Sequence, residues 1–409
     1  MGPIDQHWTS FSNIDPESDH ANRIHTVIDN ANLDYLCTQA LQLRQEQLLQ
    51  KQTESLNPLA CTVDPSKFAS GACNVVIALN FSDGLQWVAR IQLPVNDGHD
   101  DESVTTSLLS EVVTMQLIRA RSTIPIPTVF GYDASTKNIG YRYILMEALR
   151  GHVLTGRMLL SVPNIHQEKF ISQLAGHLHD LSTIRFSQIG RLGYSDKLGK
   201  HVILPFSVPG SSKKISPKNT SFEFFYQFRK EHTNLILRDH MGDQEWEAAA
   251  RLLERSVMMM ITEENINGPF PLCHIDLHYN NILVDDEYNI TGFIDWSHAQ
   301  TMPIERFAII PELVIPPAAP VEIKKAIASF REMFVKAMAK VQIEREGLQS
   351  TEEATLSHLF ASSRSELIVR CTYSYPWRAV FDAQLILPLL YGPSARWVDF
   401  QRYYSEGSL

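Results

Sequence analysis

Two kinds of apolar spacing run along this chain and divide it. Leu33, Leu36, Ala40, Leu43 and Leu48 recur at helical intervals and predict a helix from Ile28 to about Leu49, closed by Asn57, Pro58 and Pro65. Two runs rich in β-branched and apolar residues follow, Asn74–Phe81 and Leu85–Leu93. Ser82-Asp83-Gly84 between them predicts a hairpin turn. After a polar loop over Asn96–Glu102, Leu108, Val112, Met115 and Ile118 predict a helix across Thr105–Arg121. Pro125 and Pro127 end it, and Thr128–Tyr132 and Tyr141–Glu147 read as two more strands. The expected order is helix, strand pair, helix, strand pair.

Beyond Gly151 the spacing becomes mainly helical. Helices are expected over Gln167–Leu181, Phe222–Leu237, Asp243–Ile261 and Glu322–Arg345, with an aromatic-rich helical tail from Leu356 to Tyr404. A Ser/Lys/Pro/Gly segment over 206–220 reads as a mobile loop, and Pro271–Asp295 as a short β-like interruption. Hence the expected divisions are a loose N-terminal tail (1–27), a small β-rich lobe (28–147) and a larger helical lobe (148–409). The class is α+β and bilobal, a design whose clefts commonly bind ligands.

Composition narrows the function. The 409 residues are 44% hydrophobic and 20% charged, enough for a sizeable core. The net charge of −10 argues against sequence-independent nucleic-acid binding, which needs basic stripes over phosphates. Cys37, Cys61, Cys73, Cys273 and Cys371 are odd in number and form no CxxC pair, so neither a disulfide framework nor a cysteine zinc site is expected. The polar, acidic start lacks a signal-peptide pattern, and Phe307–Val321, broken by four prolines, cannot span a bilayer as a helix. The expectation is a cytoplasmic protein with no membrane partner.

Chemistry concentrates in His274-Ile275-Asp276-Leu277-His278-Tyr279-Asn280-Asn281. The apolar Ile282-Leu283-Val284, an Asp285-Asp286 turn and the returning Gly292-Phe293-Ile294-Asp295-Trp296 follow. Phosphoryl transfer needs one carboxylate at the attacking hydroxyl, and an amide oxygen and a second carboxylate to hold Mg²⁺ against nucleotide phosphates. An H-x-D-x-x-x-x-N segment followed some twenty residues later by Asp supplies that set.

With these residues in view, the sequence resembles the aminoglycoside phosphotransferase/choline kinase-like branch of the protein-kinase-like fold, and is especially similar to its fungal members. HIDLHYNNILVD matches the family's H-x-D-L-H-x-x-N-I-L-V-D signature, and GFIDW stands in place of the Asp-Phe-Gly of protein kinases. The resemblance runs from about Pro65 to Pro311. It implies that Asp276 is the catalytic Asp, that Asn281 and Asp295 are Mg²⁺ ligands, and that His274 braces the loop. His278 occupies a family-typical position of unassigned role. Ser70, Gly71 and Asn74 fall in the nucleotide-phosphate loop, although a single glycine before a strand is by itself an ordinary turn signal. The resemblance also implies that Arg90 stands where kinases carry the lysine that contacts the phosphates, that Glu111 is its ion-pairing partner, and that the backbone of Glu147–Leu149 forms an adenine-binding hinge. ATP and Mg²⁺ are the implied cofactors.

Arg in place of Lys departs from the kinase pattern, because a planar guanidinium does not substitute for a compact ammonium. Arg90 and Glu111 as a purely structural ion pair therefore remains open. The expected reaction is phosphorylation of a hydroxyl on a small molecule. The rivals are a catalytically weak or inactive nucleotide- or protein-binding module and a biosynthetic enzyme reusing the cleft for another reaction. Glu305 and Asp382 are candidates for a cationic acceptor, but each reads first as an ordinary surface or salt-bridged carboxylate.

Overall fold

The computed structural model describes residues 14–51, 58–94, 101–208, 211, 213–315, 319–347, 355–362, 367–368, 370–371 and 376–405. Its contacts separate two compact units. The first runs to Val153 and takes in Ile282–Asp286 and Thr291–Ser297; the second holds Leu154–Asn281, Glu287–Ile290 and His298 onward. The division thus falls at 153 rather than 147, and two later segments return to the first unit.

In the first unit, helix α1 (Asp19–Asn30) begins where Ser18 accepts a hydrogen bond from Ala21 N–H at 3.1 Å. Its Ala21, Ile24 and Val27 are buried, a stripe that its polar neighbours hide in the sequence. Residues 19–27 are therefore not a loose tail; the tail's residues 1–13 lie outside the described residues. The single helix expected from Ile28 is instead split. Ala31 is extended (ψ 136), and Asn32 caps helix α2 (Leu33–Gln50) by accepting from Tyr35 N–H at 3.0 Å.

Strand β1 (Cys61–Ser70) is absent from the sequence expectation because Pro65 reads as a breaker. The proline is tolerated because β1 is an edge strand whose register shifts between Val63 and Phe68. Strands β2 (Asn74–Phe81), β3 (Gln86–Gln92), β4 (Val129–Asp133) and β5 (Tyr143–Glu147) complete an antiparallel sheet in the order β1-β2-β3-β5-β4. Helix α3 (Asp101–Arg121) lies between β3 and β4 in the chain; of the polar loop expected over 96–102, Asp101 and Glu102 are helical and 96–100 lie outside the described residues.

Alternation along β3 sets the faces of this sheet. Trp87, Ala89 and Ile91 are buried in one cluster with Ile24, Val27, Leu36 and Ala40 of α1 and α2. Period 2 then turns Arg90 to the other face. Trp87 anchors the cluster by stacking on Phe130 at 4.0 Å and meeting Phe81 edge-on at 4.9 Å. A second, three-stranded sheet joins β6 (His152–Val153) to β11 (Ile282–Val284) and β11 to β12 (Ile290–Phe293), which is the hairpin expected around Asp285-Asp286. Gly151 allows its approach: its φ is +108, and a Cβ there would stand 2.5 Å from Val284 O.

The second unit is mainly helical. The helix Asn164–Ser182 packs on the helix Val321–Glu346, tied by His179 Nε2 to Glu346 Oε1 at 2.7 Å. The helices Ser221–Asp239 and Gln244–Arg255 pack together, and further helices cover Leu356–Ala361, Ala379–Tyr391 and Trp397–Ser405. The helix expected to Ile261 ends at Arg255, followed by a 3-10 turn over Ser256–Met259.

A five-stranded sheet joins β7 (Arg185–Phe186), β10 (Phe270–Cys273), β13 (Gln300–Thr301), β8 (Gly190–Ser195) and β9 (Lys200–Leu204) in that order. The β8–β9 hairpin carries too short and polar a pattern to stand out in the sequence. The segment over 206–220 is not the free loop expected: Phe206 bridges Ile215, Ile189 bridges Lys218, and Phe206, Val208 and Ile215 are buried, residues 209, 210 and 212 lying outside the described residues. No helix among the described residues is long and apolar enough to cross a membrane.

Candidate functional site

The first unit gathers Arg90, Glu111, Asn74 and Asp295. Arg90 projects from the middle of the sheet, with Val76 on one side and Ile144 on the other. Its Nη1 donates to Glu111 Oε1 in a short ion pair, and its Nη2 lies 3.3 Å from Asp295 Oδ1. Glu111 is 5% exposed and Arg90 12%. Burial opposes the charge of Arg90, but Glu111 and Asp295 outweigh it and hold the guanidinium above its ordinary pKa. With its amide oriented to satisfy its neighbours, Asn74 accepts from Arg90 Nη2 at 2.7 Å and from Nε at 3.3 Å.

Asp295 follows β12 in a left-handed conformation, φ 61. An Asp tolerates this better than most residues, yet it costs about 1–3 kcal/mol that the surroundings must repay. Trp296 helps: it is buried and donates from Nε1 to Phe293 O at 3.1 Å. Ser297 Oγ donates to Asp295 Oδ1 at 2.6 Å. The carboxylate is 43% exposed and so remains accessible.

Ser70 and Gly71 begin the turn between β1 and β2. Gly71 N–H donates to Asn74 O at 3.0 Å, closing the turn, and Leu93 N–H donates to Cys73 O at 2.9 Å. Gly71 has no positive φ, and a Cβ there would meet open space, so neither backbone nor packing requires a glycine. At the expected hinge, Glu147 has both its groups committed to Thr128. Its N–H donates to Thr128 O at 2.8 Å, and its Oε2 accepts from Thr128 N–H at 3.1 Å and Oγ1 at 2.6 Å. Leu149 continues the chain past β5 and packs near Gly292.

The second unit holds the Asp276–Asn281 loop. Asn281 is buried and donates from Nδ2 to Asp276 O at 2.9 Å. That bond fixes the orientation of the amide. His278 Nδ1 accepts from Asn280 N–H at 3.2 Å, which in the neutral ring puts the proton on Nε2. Nε2 lies 3.6 Å from Asp276 Oδ2, so this tautomer turns an N–H toward the carboxylate, and the 3.3 Å approach of Asn281 Nδ2 to the same nitrogen is then not a hydrogen bond. Asp276 is 43% exposed. His274 is buried.

One residue absent from the sequence expectation joins this loop. Glu312, 6% exposed, accepts from Tyr279 N–H and from Met158 N–H, each at 2.6 Å. Burial pushes its carboxyl above the ordinary range, against the pull of those two N–H groups and of Arg157 and His278. The available signal was a carboxylate inside the apolar run Ala308–Ile315, where a charge needs a partner. Glu305 and Asp382 are occupied elsewhere. Glu305 is buried and accepts from Thr262 N–H at 2.9 Å; Asp382 is buried beside Arg370 at 3.3 Å.

Asn281 and Asp295 each carry a hard oxygen donor, the kind Mg²⁺ takes in small number from protein, with water and phosphate oxygens completing its shell. No group of three or more His, Cys, Asp or Glu able to hold a metal occurs among the described residues, so an all-protein metal cage is not indicated there.

A sheet-borne Arg–Glu pair, an Asp after the second hairpin and an H-x-D-x-x-x-x-N loop define the kinase-like phosphotransferase class. The chain belongs to the phosphotransferase enzyme family, whose sequence model matches residues 64–321. It is 34% identical over 143 residues, 34% of the chain, to a subtelomeric hrmA-associated cluster protein of Aspergillus fumigatus; that match spans about a quarter (27%) of the relative's length. It is 25% identical over 288 residues to clavilactone A biosynthesis cluster protein Y of Ampulloclitocybe clavipes, covering 64% of this chain and 67% of that one. Among solved structures, a thermostable aminoglycoside phosphotransferase in complex with AMP-PNP and hygromycin B aligns at TM-score 0.45 and 16% identity, over 86% of this chain and 99% of that one.

Proposed function

We propose that the chain is an ATP- and Mg²⁺-dependent phosphotransferase acting on a hydroxyl group of a small molecule. The observation that carries the reading is the Asp276–Asn281 loop, held by its own Asn281–Asp276 bond and by Glu312, in a member of a phosphotransferase family. In the proposed reaction the acceptor oxygen bonds to the γ-phosphorus, the bond from that phosphorus to the bridging oxygen breaks, and the hydroxyl proton passes to the Asp276 carboxylate. His278 Nε2 stands beside that carboxylate, 3.6 Å from Asp276 Oδ2. Arg90, kept charged by Glu111, faces phosphate oxygens, and the exposed Ser70–Asn74 turn lines the same phosphates. Asn281 and Asp295 would hold Mg²⁺, which when bound supplies positive charge against the phosphates. The hinge contact with adenine falls to the Leu149 backbone more than to Glu147, whose N–H is already taken.

Arg90 also supports a second reading. Its guanidinium is shared among Glu111, Asn74 and Asp295, and a group so engaged has less to offer a phosphate. That favours a nucleotide- or protein-binding module with little turnover.

A screen of amino alcohols, sugars and aminoglycosides, followed by ADP release with Asp276→Ala as control, separates the two. Acceptor-dependent ADP release that Asp276→Ala abolishes supports the phosphotransferase. Nucleotide binding without any acceptor-dependent release supports the module.

A further inference from the structure

Helix α1 precedes the family match, which begins at residue 64, yet two of its side chains reach the turn between β1 and β2. Arg23 donates from Nε to Pro94 O at 2.9 Å and from Nη1 to Ala72 O at 3.3 Å. One turn earlier, His20 Nε2 lies 3.2 Å from Ser70 Oγ. Two further carbonyls of the turn are taken as well: Cys73 O by Leu93 N–H and Asn74 O by Gly71 N–H. Three successive carbonyls are thus turned onto protein donors. The N–H groups of Ala72 and Cys73, both on exposed residues, have no acceptor among the described residues. Open amides beside a guanidinium form an anion-binding edge, and carbonyls left free to swing would spoil it by facing the anion.

We propose that α1 is a working part of the nucleotide site, with Arg23 as the positioning residue that holds the carbonyl edge of the 70–74 turn away from the phosphates. Arg23 spans the Ala72 and Pro94 carbonyls with two nitrogens of one planar group. A lysine presents all its donors from one nitrogen, which fits the two separated carbonyls less well than the planar fork. His20 steadies the start of the turn through Ser70. The inference rests on the nucleotide reading above.

The test compares full-length wild type, Arg23→Ala and Arg23→Lys by calorimetric titration with two probes, a non-hydrolysable ATP analogue plus Mg²⁺, and adenosine. Only the first carries phosphates. Arg23→Ala is expected to weaken the ATP analogue roughly tenfold, the scale of one misdirected carbonyl facing the phosphates, with adenosine affinity unchanged. Arg23→Lys falls between. Equal affinity of wild type and Arg23→Ala for the analogue overturns the inference. Equal loss for both probes overturns it too, because that is general loosening of the unit. Wild type that binds neither probe overturns the nucleotide reading itself.

Discussion

Removing the Glu312 side chain tests how the Asp276–Asn281 loop is held. Its two oxygens accept from Tyr279 N–H and Met158 N–H at 2.6 Å each, and the residue is 6% exposed. Glu312→Ala leaves both donors without their acceptor, and a buried unsatisfied N–H costs about 1–3 kcal/mol. Part of this is returned, because burial already disfavours the Glu312 charge and raises its pKa. A net local loss of about 2 kcal/mol corresponds to roughly 30-fold faster opening of the loop. Hydrogen exchange at the Tyr279 amide reads this directly and avoids assuming that a two-unit chain unfolds in one step. Glu312→Gln keeps one acceptor oxygen and should show an intermediate rate. Exchange at Tyr279 within about twofold of wild type in Glu312→Ala would refute the bracing role.

Breaking the buried Arg90–Glu111 pair from one side should be costly: Glu111→Gln is expected to lose about 3–5 kcal/mol of stability in chemical denaturation, and Arg90→Met with Glu111→Gln less than the sum of the single changes. Gly151→Ala should cost at least about 2 kcal/mol, since its Cβ would strike Val284 O and its φ is +108, whereas Gly71→Ala should leave the melting temperature unchanged. Asp83 is partly desolvated, but Arg44 at 2.9 Å and the Leu85 N–H outweigh that and hold its carboxyl below the ordinary range. The stability it contributes is therefore present above its unfolded pKa and lost as pH falls through the lower folded value. Asp83→Asn should destabilise by up to about 1 kcal/mol at pH 7 and by nothing once pH lies below both values, in melts across that range.

What could be read in the sequence was whatever carried a strong local pattern. β2 and β3 were legible because their alternation is regular, and the family because the H-x-D-x-x-x-x-N spacing is specific. β1 was hidden by Pro65, which an edge strand with a shifted register accommodates. α1 was hidden because its three buried residues sit among polar ones, and the break at Ala31 because a cap at Asn32 interrupts an otherwise helical run. The tethering of 206–220 depends on isolated bridges to residues that no local pattern specifies. Glu312 was missed for a related reason: its partners are backbone amides 33 and 154 residues away, which leave no side-chain signature. The Arg90–Glu111 ion pair forms across 21 residues of sequence, and the additional hold of Asn74 and Asp295 on Arg90 emerges only in three dimensions.

Transfer of labelled γ-phosphate from ATP to a small-molecule hydroxyl, measured for wild type and Asp276→Asn with the best acceptor from the screen, tests the central claim most directly. The account predicts a phosphorylated product with wild type and a rate lower by about 10²–10⁴ with Asp276→Asn, the range expected for a lost general base. Equal rates from the two proteins would contradict it.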